Sequence, residues 1–157
     1  MPADVPTTGP NLRSPNERPP IEPVLATQHT AAGAKAFAEF FVRTIDWGFA
    51  TMSGTYIRHY APPSCLGCKQ FADGIDRARA AHHTYVGGWF TITGSTARSY
   101  TASTASIAVR YDSLSFEEVD QLGKGISADP AQTNQTFIVD LAWTPSGWRT
   151  KALAVQT

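Results

Sequence analysis

The hydrophobic period of the chain changes once, and that change constrains the fold more than any other feature. From about Thr30 to His82, apolar residues recur at three- and four-residue steps; from Thr84 onward they recur at two-residue steps. The first spacing lines one face of a helix and the second lines one face of a strand. Helices followed by a run of strands predict an α+β domain, with the helices gathered on one face of an antiparallel sheet.

The spacing predicts a first helix from Thr30, a suitable N-cap, to about Met52. Its stripe is Ala34, Phe37, Phe41, Ile45, Phe49 and Met52. Ser53-Gly54 interrupts it, and a short helix follows at Thr55–Tyr60. Pro62 and Pro63 lack the N–H that a helix interior needs, so they end that element. Ser64 is placed to cap a third helix over about residues 65–82, with Cys68, Phe71, Ile75 and Ala78 inward.

Val86, Phe90 and Ile92 mark a first strand, bulged or bent at Gly87-Gly88. Ala105, Ile107, Val109 and Tyr111 alternate with mostly polar residues, and Phe137, Val139, Leu141 and Trp143 repeat the pattern. Pro145-Ser146-Gly147 turns the chain into a last strand at Trp148–Val155. Between these, Ser115–Val119 reads as a short strand and Gly123–Thr133 as a loop. The predicted fold is three N-terminal helices packed on a curved antiparallel sheet of four or more strands. Such a cone holds its long helix in the concavity, and an open end leaves a pocket.

Residues 1–29 hold seven of the eleven prolines and almost no large apolar side chain. Burial cannot repay the entropy of ordering such a stretch, so it is expected to be a disordered tether before a domain spanning residues 30–157. No run reaches the ~18 apolar residues of a membrane span, and no signal segment precedes the domain. A leader removed ahead of Met1 is the expectation. With 13 Lys+Arg against 13 Asp+Glu, the formal net charge is zero. That balance argues against nucleic acid or an anionic membrane surface as a partner, since each draws a basic face.

Cys65 and Cys68 are the only cysteines. Three positions apart at a helix start, their sulfurs can come within bonding reach. A structural disulfide in an oxidising compartment is the favoured reading. A redox-active Cys-x-x-Cys pair, half of a zinc site and free thiols are the alternatives. The redox reading lacks a preceding buried strand, and the zinc reading lacks two further ligands, since His82 and His83 are adjacent. A ring this small is worth about 2 kcal/mol by loop closure, so its role would be local, pinning the Pro62-Pro63 turn to the third helix. No metal or cofactor is expected.

Trp47, Tyr60, Trp89 and Tyr111 are candidates for a ligand-contacting pocket wall, with Trp143 beside them, although aromatic side chains at such positions also serve as core. Asp46, Asp112 and Asp140 are expected to face solvent. His29 falls in the tail, and His59, His82 and His83 read as surface or capping residues. Acid–base chemistry in a cone would need an inward carboxylate, or an Asp–His pair, with Tyr donors. No Asp–His pair stands at matched positions, and no catalytic residue is assigned.

Three segments, in order, resemble an uncharacterised family of actinobacterial lipoproteins: Gly33-Ala34-Lys35-Ala36-Phe37, Pro63-Ser64-Cys65-Leu66-Gly67-Cys68 and Gly87-Gly88-Trp89. The likeness spans about residues 20–157, and Ser-Cys-x-x-Cys is its most specific element. It implies a signal peptide with a lipidated cysteine, a Pro/Thr-rich spacer and a nuclear transport factor 2-like (cystatin-like) cone. It supplies no catalytic motif, and in a bacterial protein the Asn134-Gln135-Thr136 glycosylation pattern is a chance match. The expected function is a non-enzymatic, extracytoplasmic protein of the cell envelope that binds a partner protein or a small apolar ligand. The alternative is a small isomerase- or dehydratase-like enzyme using a pocket carboxylate and Tyr. A homodimer is a further expected assembly.

Overall fold

Thr30 opens the first helix as the spacing predicts, its Oγ1 accepting the Gly33 N–H at 2.9 Å. The protein is described here by a computed structural model covering residues 1–156. Helix α1 runs Ala31–Thr51 and ends at Met52, whose left-handed φ of 56° turns the chain out of the helix. Helices α2 (Thr55–Tyr60) and α3 (Leu66–Ala80) follow. Cys65, not Ser64, caps α3: the Cys68 N–H donates to Cys65 Sγ at 3.3 Å. The disulfide holds that sulfur over the first turn, where an N–H lacks an intrahelical partner, and Ser64 is left outside.

Seven strands complete the described residues: β1 Thr84–Gly87, β2 Phe90–Tyr100, β3 Thr104–Ser113, β4 Phe116–Val119, β5 Gly125–Asp129, β6 Gln132–Thr144 and β7 Gly147–Gln156. They pair antiparallel in two sets, β1-β4-β5 and β2-β3-β6-β7. Register shifts in β2, β3 and β6 bend the larger set. The architecture is the expected one, three helices on curved antiparallel strands. Helix α1 lies across β2, β3, β6 and β7, and α3 packs on β7. Phe37, Phe41 and Ile45 are fully buried in one core with Ile107, Val109, Phe137, Val139 and Leu141. Each such side chain contributes about 1.5–3 kcal/mol of transfer free energy. Among the described residues, no helix is long and apolar enough to cross a membrane.

Two strand expectations need correction. Gly87-Gly88 is neither a bulge nor a bend within one strand but a corner between two: with φ of 71° and 77°, it passes the chain from β1 in the small sheet to β2 in the large one. The inward residue of β1 is Tyr85, 6% exposed, while Val86 is 50% exposed. Residues 123–133 are also not a loop. They contain β5, which pairs with β4 from Phe116↔Asp129 to Val119↔Gly125, and the start of β6. Every β5 side chain is exposed, so main-chain pairing alone makes it a strand and no apolar period announces it.

Residues 1–29 depart furthest from expectation, because they form a strap against the domain. Val5 is 4% exposed, and the Trp47 indole N–H donates to the Pro6 carbonyl at 2.8 Å. The Asn11 side chain accepts the Gly87 N–H at 3.0 Å and donates to the Gly87 carbonyl at 3.1 Å. The Trp89 indole N–H donates to the Asn11 carbonyl at 2.8 Å, and the Tyr56 hydroxyl to the Pro20 carbonyl at 2.6 Å. A 3₁₀ turn at Val24–Thr27 packs on α1 with Ala26 fully buried. Prolines have no N–H to satisfy but keep their carbonyls, and buried aromatic donors of the domain take these up. Polar anchoring thus adds to the limited apolar burial that the strap makes at Val5, Leu12 and Ala26.

Candidate functional site

Six aromatic side chains converge between the two sheets at the C-terminal end of α1. Phe49 comes from α1, Phe71 from α3, Phe90 from the first position of β2, Tyr111 from β3, Phe116 from β4 and Phe137 from β6. They line a cavity of about 300 Å³ whose rim includes Ser113, Leu114, Asp129, Pro130 and Gln132. The Tyr111 ring stacks on Phe137 at 4.6 Å, tilts against Phe90 at 4.9 Å, and Phe49 meets Phe90 and Phe116 edge-on near 5.9 and 5.8 Å. These offset and edge contacts fix the rings against one another. The Gly87-Gly88 corner delivers Phe90 to this wall, and an added Cβ at Gly88 would sit 2.6 Å from the Phe116 ring. Burial raises the Tyr111 hydroxyl above its ordinary pKa, and that hydroxyl makes no hydrogen bond among the described residues.

A second cavity, about 260 Å³, lies on the other side of Phe90, between α1 and the strap. Arg13, Glu17 and Arg18 come from the strap, Val42, Arg43, Asp46 and Trp47 from α1, and Phe90 and Ile92 from β2. Asp46 accepts the Phe90 N–H at 3.0 Å and pairs with the Arg13 guanidinium, which also donates to the Phe90 carbonyl at 2.6 Å. Burial nevertheless pushes the Asp46 carboxyl up to about 6, because the loss of water outweighs the lowering by Arg13 and the Phe90 N–H. Arg13 is itself 37% exposed, so solvent screens part of its charge.

The four aromatic candidates separate. Tyr111 lines the aromatic cavity and Trp47 lines the cleft beside Asp46. Trp89 lines neither cavity; its indole anchors the strap through Asn11. Tyr60 belongs to the helical core, edge-on to Phe37 and Phe40 at 5.8 and 5.1 Å, with the Arg149 guanidinium over its ring. Trp143 stacks on His29, ring centroids 4.1 Å apart. Asp46 is not the solvent-facing carboxylate expected from its place beside Ile45, since its side chain is only 15% exposed. The remaining aromatic wall was visible only as core stripe positions.

Cys65 and Cys68 form a disulfide with Cα atoms 5.3 Å apart, and no free cysteine remains. At 1% and 2% exposure, the pair lacks the access that thiol exchange requires. His–carboxylate pairs do occur: His59 with Asp4 at 2.7 Å and His83 with Glu118 at 2.8 Å. Neither lines the aromatic cavity or the cleft beside Asp46. Among the described residues, no group of three or more His, Cys, Asp or Glu side chains is placed to hold a metal ion.

No curated protein matches the chain. Among solved structures, the intermembrane-space region of chloroplast protein ARC6 superposes with a TM-score of 0.51 at 14% identity, over 77% of this chain and 95% of that one. The protein assigned as the beta subunit of an aromatic-ring-hydroxylating dioxygenase from Novosphingobium aromaticivorans DSM 12444 gives 0.50 at 10% identity, over 81% of this chain and 92% of its own. Identities this low establish the fold alone, which is nuclear transport factor 2-like. Residues 13–153, from Arg13 in the strap to Leu153 in β7, match a family model, and the chain belongs to that family, described as Family of unknown function (DUF6318).

Proposed function

We propose that the domain is a non-enzymatic binding module that holds a small, largely apolar ring compound in the aromatic cavity. The observation that carries this reading is the cavity itself: six aromatic walls around about 300 Å³, with the unbonded Tyr111 hydroxyl as a polar handle. Pockets for small molecules have this make-up, an apolar lining with few polar groups that fix orientation. Isomerase- or dehydratase-like chemistry would need carboxylate and tyrosine in one place. Asp129, at the rim of the aromatic cavity with Tyr111, is exposed, and the buried carboxylate, Asp46, lines the other cavity, which supports binding over catalysis.

The Cys65–Cys68 disulfide supports an extracytoplasmic, oxidising setting. Together with the lipoprotein resemblance of the Ser64-Cys65-Leu66-Gly67-Cys68 segment, it supports a cell-envelope protein anchored by lipid in its full-length form. The test of the binding reading is a thermal-shift and calorimetric series with naphthalene derivatives, on the wild type and on Phe116→Ala and Tyr111→Phe. Ligands carrying a hydroxyl raise Tm in the wild type, lose affinity at least tenfold in Phe116→Ala, and lose their preference over the hydrocarbon parent in Tyr111→Phe. Equal affinities in all three proteins would remove the reading.

A further inference from the structure

The cleft between the strap and α1 carries unspent charge. Of its three guanidinium groups, Arg13 is committed to both carboxylates present: it pairs with Asp46, and it meets Glu17 through its Nε at 3.7 Å and its backbone N–H at 2.7 Å. Among the described residues, Arg18 bonds only the Glu17 carbonyl, at 3.2 Å. Arg43 reaches a carboxylate only at the outer limit of an ion pair, 4.0 Å from Glu39, whose Oε1 already accepts the Ser95 hydroxyl at 2.6 Å. Two guanidiniums, one on each bank, therefore keep free donors above an apolar floor of Val42, Trp47, Phe90 and Ile92. Guanidinium groups pair with phosphate and carboxylate oxygens in a planar fork, and such bonds are among the stronger ones available in a half-enclosed site.

We infer that this cleft is a second binding site, for a small molecule joining a phosphate or carboxylate to an apolar body. Arg18 and Arg43 take the anionic group from opposite banks, and the apolar part lies on Trp47, Phe90 and Ile92. Of the groups lining the cleft, three are guanidiniums and two are carboxylates, and Arg13 offsets Asp46, so an anionic group there meets net positive charge. The site is separate from the aromatic cavity, and it stands whether or not that cavity binds anything.

The probes are phenyl phosphate, inorganic phosphate and benzyl alcohol, titrated into the whole chain with 15N NMR. Phenyl phosphate moves the Trp47 indole N–H and the Phe90 amide, and binds at least fivefold more tightly than either of the other two. Arg18→Ala and Arg43→Ala each weaken it about threefold and the double variant about tenfold. Both arginines are exposed, so these variants keep the wild-type spectrum without ligand. Unchanged affinity in the double variant overturns the site. So does inorganic phosphate binding as tightly as phenyl phosphate, or shifts confined to Tyr111 and Phe116 in the aromatic cavity.

Discussion

Asp46 on α1 and Phe90 at the start of β2 are joined across 44 positions by one bond, the Phe90 N–H to the Asp46 carboxylate at 3.0 Å. That bond holds the residue that separates the two cavities, and it ties the helix to the corner where the chain changes sheets. Its acceptor is an ionised group paid for by little water, and this makes stability depend on pH. Burial pushes the Asp46 carboxyl up to about 6 in the folded protein, from its ordinary value of 3.8. Between those values the folded protein holds a proton that the unfolded chain has released, so stability falls as pH rises across the window. The cost is absent below the lower value and complete above the upper one, at about 3 kcal/mol. Urea unfolding of wild type and Asp46→Asn from pH 4 to 7 reads this directly. The wild type loses stability relative to the variant across that range; parallel curves would mean that Asp46 ionises freely.

Gly88 has a φ of +77°, and a Cβ there would meet the Phe116 ring at 2.6 Å, while a Cβ at Gly87 would meet the Ser115 carbonyl oxygen at 2.4 Å. Strain at such a backbone position costs about 1–3 kcal/mol before any clash is counted. Gly88→Ala is therefore destabilising and also displaces a wall of the aromatic cavity. Gly87→Ala meets backbone that cannot rotate away, and it lowers Tm further. Thermal unfolding of the two variants checks the order, and equal, small losses would contradict it.

Reduction of Cys65–Cys68 removes a four-residue ring, worth about 2 kcal/mol by loop closure. Helix α3 keeps its own packing on β7, α1 and α2, so the reduced protein stays folded. Denaturant unfolding of a Cys65→Ser, Cys68→Ser double variant should give an unfolding free energy lower by about that amount, with an unchanged far-ultraviolet spectrum. Complete unfolding on reduction would assign the bond a global role.

The order of helices and strands was legible because the apolar period changes at Thr84, and a period reports which face of an element points inward. It does not report which inward positions lie beyond the reach of the opposite layer. Phe49, Phe71, Phe90 and Phe137 therefore read as core stripe, although they border open space, and Tyr111 alone among the pocket candidates reached the aromatic cavity. Asp46 reads as solvent-facing for a related reason. One position past Ile45 a helix points toward solvent, and the strap that covers that side is held by bonds between residues up to 78 positions apart. β5 reads as loop because a strand with no buried side chain carries no apolar pattern.

The strap itself supplies the remaining prediction. Its composition argues for disorder, and its position rests on a few polar anchors, of which the Asn11 side chain is the most exacting. It satisfies both backbone groups of Gly87, at 3.0 and 3.1 Å, on β1, the edge strand of the small sheet. Asn11 is 5% exposed, so no water replaces it without some movement of the strap. Asn11→Ala leaves an N–H and a carbonyl without partners, at a cost of about 1–3 kcal/mol. Little apolar burial stands behind the anchor, so the loss is expected to appear first as local opening of residues 1–13. Hydrogen exchange and limited proteolysis of that segment then accelerate while β3 and β6 keep their protection. Exchange in the segment that is equally fast in wild type and variant would restore the free tether that the prolines suggest.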